Sequence, residues 1–224
     1  MARSVVGFVT AVAVVSCWAS PVRAQGKDKF AGMTGIQIGA VAGANFFTFG
    51  WHGGRSMQPR SAMHAGPVLI VPLGRHVFFQ PEVLYSAEGA RESVNDSTYG
   101  YTAWTFKLNY LAVPALVGFD GAAGAGVSPR VYAGPVFALN LSCQLDAMSR
   151  GQSGTFACSY GGLTAKSLAF GATAGGGLRF RAGSGSLMLE ARYTFGLSHL
   201  FESAIVHTQG VSIGAGFSTP LGRY

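Results

Sequence analysis

Residues 166–180 read KSLAFGATAGGGLRF, and apolar side chains take turns with small or polar ones throughout. Leu168, Phe170, Ala172, Ala174, Leu178 and Phe180 fall on one side, with Ser167, Gly171, Thr173, Gly175, Gly177 and Arg179 on the other. A period of two marks a strand whose two faces meet different surroundings. Here the polar face is made mostly of glycine and small hydroxyl residues, which suits the narrow interior of a small closed barrel.

The same alternation recurs on both sides of this stretch. Downstream, Leu187, Leu189, Ala191, Tyr193 and Phe195 oppose Met188, Glu190, Arg192 and Thr194; then Val211, Ile213, Ala215 and Phe217 oppose Gly210, Ser212, Gly214 and Gly216. Upstream, residues 130–141 set Val131, Ala133, Pro135, Phe137, Leu139 and Leu141 against Tyr132, Gly134 and Asn140. Residues 104–119 form a further strand; it reads almost wholly apolar after Tyr110, so its facing stays open, and Pro114 marks an expected bulge. Residues 77–87 place Val77, Phe79, Pro81, Val83 and Tyr85 opposite Gln80, Glu82 and Ser86. Residues 61–73 and 34–47 alternate likewise, with Ile36, Ile38, Ala40, Ala42, Ala44 and Phe46 leading the first strand.

These segments predict an all-β fold: a single antiparallel up-and-down transmembrane β-barrel of about eight strands, with ten left open as the alternative count. Closure is a physical requirement, because a strand in hydrocarbon must satisfy every backbone N–H and C=O and an open edge cannot. Long connections near 48–60, 88–103, 142–163 and 196–207 alternate with short ones, as in outer-membrane barrels. An even strand number puts both termini at the short-turn end, so the expectation is periplasmic termini and extracellular long loops. Glu82, Arg179, Glu190 and Arg192 all point inward and are expected to neutralise one another in the lumen; whether Arg192 pairs with Glu82 or Glu190 is open.

The chain begins with Arg3 and an apolar run from Val5 to Val15, the layout of a signal peptide, with cleavage expected after Ala24. Residues 25–224 would then form the barrel domain. A second reading takes Val14-Val15-Ser16-Cys17 as a lipoprotein cleavage site with Cys17 acylated. Beyond the leader no stretch approaches the unbroken apolar length of a spanning helix. The composition, with 33 glycines and only 11% charged residues, suits neither a helical bundle nor a disordered chain. The net charge of +7 is scattered and includes Arg3 and Arg23 of the leader, so nothing points to nucleic acid. Cys143 and Cys158 flank a polar stretch, and export favours a disulfide between them, with two free thiols as the alternative.

At Phe78-Phe79-Gln80-Pro81-Glu82-Val83-Leu84-Tyr85-Ser86-Ala87-Glu88-Gly89-Ala90 and at Leu108-Asn109-Tyr110-Leu111-Ala112-Val113-Pro114 the chain resembles the PorT-like outer-membrane β-barrel family. Val131-Tyr132-Ala133-Gly134-Pro135, Glu190-Ala191-Arg192-Tyr193 and Gly214-Ala215-Gly216-Phe217 continue the resemblance in order. It implies a bacterial outer-membrane location and insertion by the barrel-assembly machinery. Members often carry an acidic residue where this chain has Ala112, and either Phe217 or Tyr224 serves as the terminal aromatic of the assembly signal.

Catalytic and cofactor chemistry finds little support. His199, Glu202 and His207 share one long loop but match no ligand spacing, and solvated loop residues are the simpler account. His52 and His64 lack a nucleophile motif beside them. Gly175-Gly176-Gly177 lies inside a strand with no helix following, so it is no phosphate loop. Trp51, Tyr85, Tyr101, Trp104, Tyr110 and Tyr193 suit interfacial aromatic girdles. The expectation is therefore a non-enzymatic barrel of structural or interaction type, without cofactor or metal. Its partners are outer-membrane lipid, the assembly machinery during insertion, and an unspecified extracellular or periplasmic protein. A small pore or transporter is the alternative, and a soluble or lipid-anchored ligand-binding barrel the further one.

Overall fold

A computed structural model describes residues 35–51, 57–96, 100–122, 126–149, 152–161, 163–201 and 206–222. The leader, Cys17, the expected cleavage site, His52, Glu202, Tyr224 and the Trp51 side chain lie outside the described residues.

The strands are β1 (Gln37–Trp51), β2 (Gln58–Pro72), β3 (Val77–Pro81), β4 (Leu84–Asp96), β5 (Gly100–Asp120), β6 (Val127–Ser149), β7 (Gln152–Ala157), β8 (Leu168–Ala182), β9 (Gly185–Gly196) and β10 (Val206–Pro220). All pairings are antiparallel, and β1 pairs with β10 from Gln37↔Pro220 to Trp51↔Val206, which closes the sheet on itself. Ten segments make a ring of eight, because β3 and β4 are one strand and β7 stands outside the ring. Both β3 and β4 pair with β2 on one side and β5 on the other, and the Val68↔Glu82 bridge keeps the register across the gap.

Two prolines explain the gap. Glu82 N–H donates to the Pro114 carbonyl at 3.0 Å and Val83 N–H to the Pro67 carbonyl at 3.1 Å. Neither proline has an N–H to return. The ladder therefore loses one bond on each side of residues 82–83. Pro114 itself marks no bulge: β5 stays in register with β6 from Tyr110↔Asn140 to Asp120↔Arg130, and the shift lies at Asn109/Tyr110 instead. A second bulge falls between Pro59 and His64 against β4, where Gly89 takes a φ of 154°, a conformation that favours glycine.

Side-chain facing follows the parity read from the sequence. Ile38, Phe46, Val131, Leu139, Phe170, Leu189, Ile213 and Phe217 are all exposed on the outer wall. So large and continuous an apolar surface belongs in lipid. From Ile36 to Phe46 it spans about 25 Å once strand tilt is counted, the height of a barrel's lipid band. Among the described residues no helix is long and apolar enough to cross a membrane, which leaves the strands to do so.

The strands run well past the ends expected from sequence. Most of 88–103 and 142–163 is ladder rather than loop, with β4 paired to β5 as far as Asp96↔Gly100 and β6 to β7 from Gln144↔Ala157 to Ser149↔Gln152. Beyond the belt neither lipid nor a packed lumen imposes a two-faced pattern, so these extensions carry no alternation to read. The result is a four-stranded sheet, β4–β5–β6–β7, rising above one side of the barrel.

Candidate functional site

The lumen is filled in layers, beginning at the short-turn end. Asp120, at the end of β5, lies 3.4 Å from Arg130 Nε of β6 and 3.4 Å from Arg179 Nη2 of β8. The Arg130 guanidinium sits 4.3 Å above the Phe78 ring and donates to Met188 Sδ at 2.8 Å, so the charge is held by an aromatic face and a sulfur as well as by Asp120. Arg130 is among the most deeply buried side chains of the barrel, at 1% exposure.

The next layer centres on Arg192 of β9. Its Nη1 donates to Glu82 Oε2 at 2.7 Å and its Nη2 to Glu82 Oε1 at 3.1 Å, a two-pronged pair. Nη2 also donates to Glu190 Oε1. Gln80 Nε2 donates to Glu82 Oε1 at 2.7 Å, and Tyr132 Oη to Glu190 Oε2 at 3.0 Å. One guanidinium thus bridges two carboxylates, each held from its other side by a neutral donor. Inward Gly175 and Gly177, opposite Arg192 and Glu190 on β8, leave the room this arrangement occupies.

Asn45 of β1 organises the layer above. Its amide nitrogen donates to Ser86 Oγ and to the Ala87 carbonyl, both at 3.0 Å. Its oxygen accepts from Ser212 Oγ at 2.8 Å and meets His64 Nδ1 at 2.8 Å, which sets the His64 proton on Nδ1. The His64 ring packs against Gly43 and Gly214: a Cβ on Gly43 would lie 2.7 Å from its Cε1, and one on Gly214 3.1 Å from its Nε2. His64 Nε2 is buried with no hydrogen-bond partner among the described residues. Glu88 accepts from Ser86 Oγ at 3.3 Å and borders a cavity of about 30 Å³ shared with Tyr110, Thr194 and Thr208, room for about two waters.

At the long-loop end the lumen turns apolar. Phe49, Leu108, Leu200, Phe201 and Val206 are all buried there, and the Phe49 and Phe106 rings meet at 5.9 Å between centroids. Ion pairs and hydrocarbon thus fill the lumen at successive heights among the described residues.

Of the four inward charges expected from sequence, the structure brings Glu82, Glu190 and Arg192 together and sets Arg179 apart, against Asp120. Asp120, Arg130, Gln80 and Tyr132 were not anticipated as members. Arg130 shares the parity of Tyr132, so its inward facing was legible, whereas Asp120 reads as part of a turn. Cys143 and Cys158 form a disulfide, with Cα atoms 5.5 Å apart, that ties β6 to the 3-10 turn Cys158–Gly161 after β7.

The His199 and His207 rings lie 4.9 Å apart at the long-loop rim, with His207 Nδ1 3.1 Å from the Gly196 carbonyl. His64 sits in the lumen on another strand and does not join them. Among the described residues no group of three or more metal-ligating side chains forms. Tyr85, Tyr101 and Tyr193 face outward, while Tyr110 points into the lumen and is buried, because β5 faces inward at its even positions. The Gly175–Gly177 run is plain β8 ladder.

Residues 23–202 match the outer membrane protein beta-barrel domain. This chain belongs to that family. Membership places it in the bacterial outer membrane, where the apolar belt is buried in lipid. No curated protein matches the sequence. Solved barrels similar to this chain include the following three. Neisserial surface protein A has 12% identity, covers 84% of this chain and 98% of its own, and has a TM-score of 0.47. OprG from Pseudomonas aeruginosa has 12% identity, covers 85% and 99%, and has a TM-score of 0.48. Ail, the attachment invasion locus protein of Yersinia pestis, has 16% identity, covers 83% and 99%, and has a TM-score of 0.44.

Proposed function

We propose that this outer-membrane barrel is a closed, non-conducting protein of structural or interaction type. Its short turns and both termini face the periplasm, and its extended hairpins face outward to meet an extracellular protein partner. The observation that carries this reading is the filled lumen. Arg192 spans it between Glu82 and Glu190, and buried Phe49, Leu108 and Val206 cap the outer end. A barrel of eight strands has an interior just wide enough for side chains to fill. The rising sheet, stapled by Cys143–Cys158, gives the exterior a rigid surface. Residues 1–24 act as a signal peptide removed on export, insertion uses the barrel-assembly machinery, and the 78–90 and 108–114 blocks support a narrower placing among PorT-like barrels.

Purified chain that shifts on a gel only after boiling is the material for the test. Reconstituted in planar lipid bilayers, it is expected to show no stepwise conductance. Regular conductance steps from the unboiled species would replace this reading with that of a small pore.

A further inference from the structure

Just beyond the apolar belt, three cationic side chains from three neighbouring strands gather on the outer wall. Arg60 of β2 donates from Nη1 to the Glu88 carbonyl at 2.8 Å, and its chain passes over Gly89, where an added Cβ would lie 3.0 Å from Arg60 Cδ. Gly89 is paired with Lys107 of β5, and Arg91 is paired with Gln58, two residues before Arg60. Arg60 is thereby within electrostatic reach of Arg91, Asp146 and Tyr85. The carboxylate in this group, Asp146 of β6, is already engaged by Lys107 and by Thr155 Oγ1 at 2.9 Å. Glu88 and Glu92 alternate with Arg91 onto the opposite face of β4.

Two guanidiniums therefore lie within electrostatic reach of each other on adjacent strands, with the carboxylate beside them engaged by Lys107. Like charges so placed repel, and an anion between them removes the repulsion. Their depth says which anion. Met63, Tyr85 and Leu141 are exposed on the lipid-facing wall of these strands; Arg60 stands three residues beyond Met63, Arg91 six beyond Tyr85, and Lys107 is paired with Gly89, four beyond Tyr85, roughly 10–20 Å along the strands. That is headgroup depth. A guanidinium fork matches a phosphate by paired hydrogen bonds, and Tyr85 supplies an amphipathic ring at the boundary.

We propose that Arg60, Arg91 and Lys107 form a binding site for a phosphate-bearing glycolipid headgroup in the outer leaflet. The site holds one lipid against the wall beneath the β4–β7 sheet. Its leaflet assignment rests on the outward orientation proposed above.

The test uses the full chain in detergent, folded as judged by heat modifiability, with lipid retention read by native mass spectrometry. The probes are bisphosphorylated lipid A, its dephosphorylated counterpart and inorganic phosphate. Wild type is expected to retain the phosphorylated lipid, to ignore the dephosphorylated one, and to keep its lipid in millimolar phosphate. The double variant Arg60→Gln/Arg91→Gln, still heat-modifiable and non-conducting, is expected to bind about 30-fold more weakly. Equal retention by the variant, or equal retention of the dephosphorylated lipid, overturns the site. Displacement by inorganic phosphate overturns the lipid assignment in favour of a free anion. An epitope inserted after Ser149 and sought on intact cells tests orientation separately. If it is hidden, the outer-leaflet assignment fails even where lipid A binds in detergent, whereas a conductance result bears only on the closed-barrel reading.

Discussion

Arg192 carries the most consequence of any single residue, because it satisfies two buried carboxylates at once. Breaking a buried pair by removing one partner costs more than the pair contributed, since the remaining charge is left without water. Arg192→Met is expected to lose about 3–5 kcal/mol of stability, read as a lower urea midpoint for the heat-modifiable band. Replacing Glu82 by Gln in the same chain should recover part of that loss, because one stranded charge is removed with it. Gly43 is sensitive for a steric reason: a Cβ there would lie 2.2 Å from the Ile213 carbonyl oxygen, which belongs to backbone and cannot swing aside. Gly43→Ala is therefore expected to lower the fraction of chain that folds into the heat-modifiable form, even though alanine suits a strand better than glycine. A full yield of folded barrel would show that β1 and β10 separate more easily than their register suggests.

The β6–β7 hairpin is the element whose stability is least tied to the rest. It pairs with β5 on one side, and the Cys143–Cys158 disulfide closes a loop with a sequence separation of 15. A crosslink over that span constrains the open chain by about 3 kcal/mol. Cys143→Ser with Cys158→Ser should leave heat modifiability intact and make the hairpin cleavable by protease while the barrel resists. Loss of the whole barrel would mean that the hairpin and the ring fold as one unit. The same element carries a pH dependence. The Lys107 hydrogen bond holds the Asp146 carboxyl below the usual carboxylate range, with Thr155 adding to it and partial burial opposing. A carboxyl depressed on folding contributes stability above its unfolded value, about 3.9, and loses it as pH falls through the folded one. Hydrogen-exchange protection factors in 144–157, corrected for the intrinsic pH dependence of exchange, should therefore stay constant from neutral pH to about 4 and fall below, with those of Asp146→Asn flat throughout.

Over the whole molecule, two surfaces with opposite demands are separated by the thickness of one sheet. Lipid selects the outward positions for aliphatic and aromatic residues, and the packed lumen selects small, polar and paired charged ones. On the closed-barrel reading proposed above, occlusion is redundant, because the apolar cap and the ion-pair layers fill the lumen at different heights. Phe49→Ala with Phe106→Ala, which removes two touching rings of the cap, should destabilise the barrel yet leave it non-conducting in planar bilayers. Conductance from that variant would show the cap to be the sole barrier and the Glu82–Arg192–Glu190 layer to be permeable.

By itself the sequence determined the architecture: an all-β antiparallel barrel of about eight strands, its closure, and the facing of most spanning residues outside residues 104–119, while the exact strand count and the pairing of Cys143 with Cys158 over two free thiols were settled only by the tertiary structure. It did so because lipid outside and a filled lumen inside impose different chemistry on odd and even positions, and fifteen residues such as 166–180 record that difference without ambiguity. Parity says that Glu82, Arg179, Glu190 and Arg192 point inward, but not which of them meet. That was decided by register and by position around the ring. Glu82 and Arg192 are 110 residues apart in the chain and 2.7 Å apart in space, while Arg179 lies nearer the short-turn end, beside Asp120 and Arg130. The rising sheet was equally hidden, since beyond the belt its strands are held by backbone hydrogen bonds that leave no hydrophobic period to read. The gathering of Arg60, Arg91 and Lys107 belongs to the same class: three scattered charges in the chain become neighbours only when β2, β4 and β5 are laid side by side.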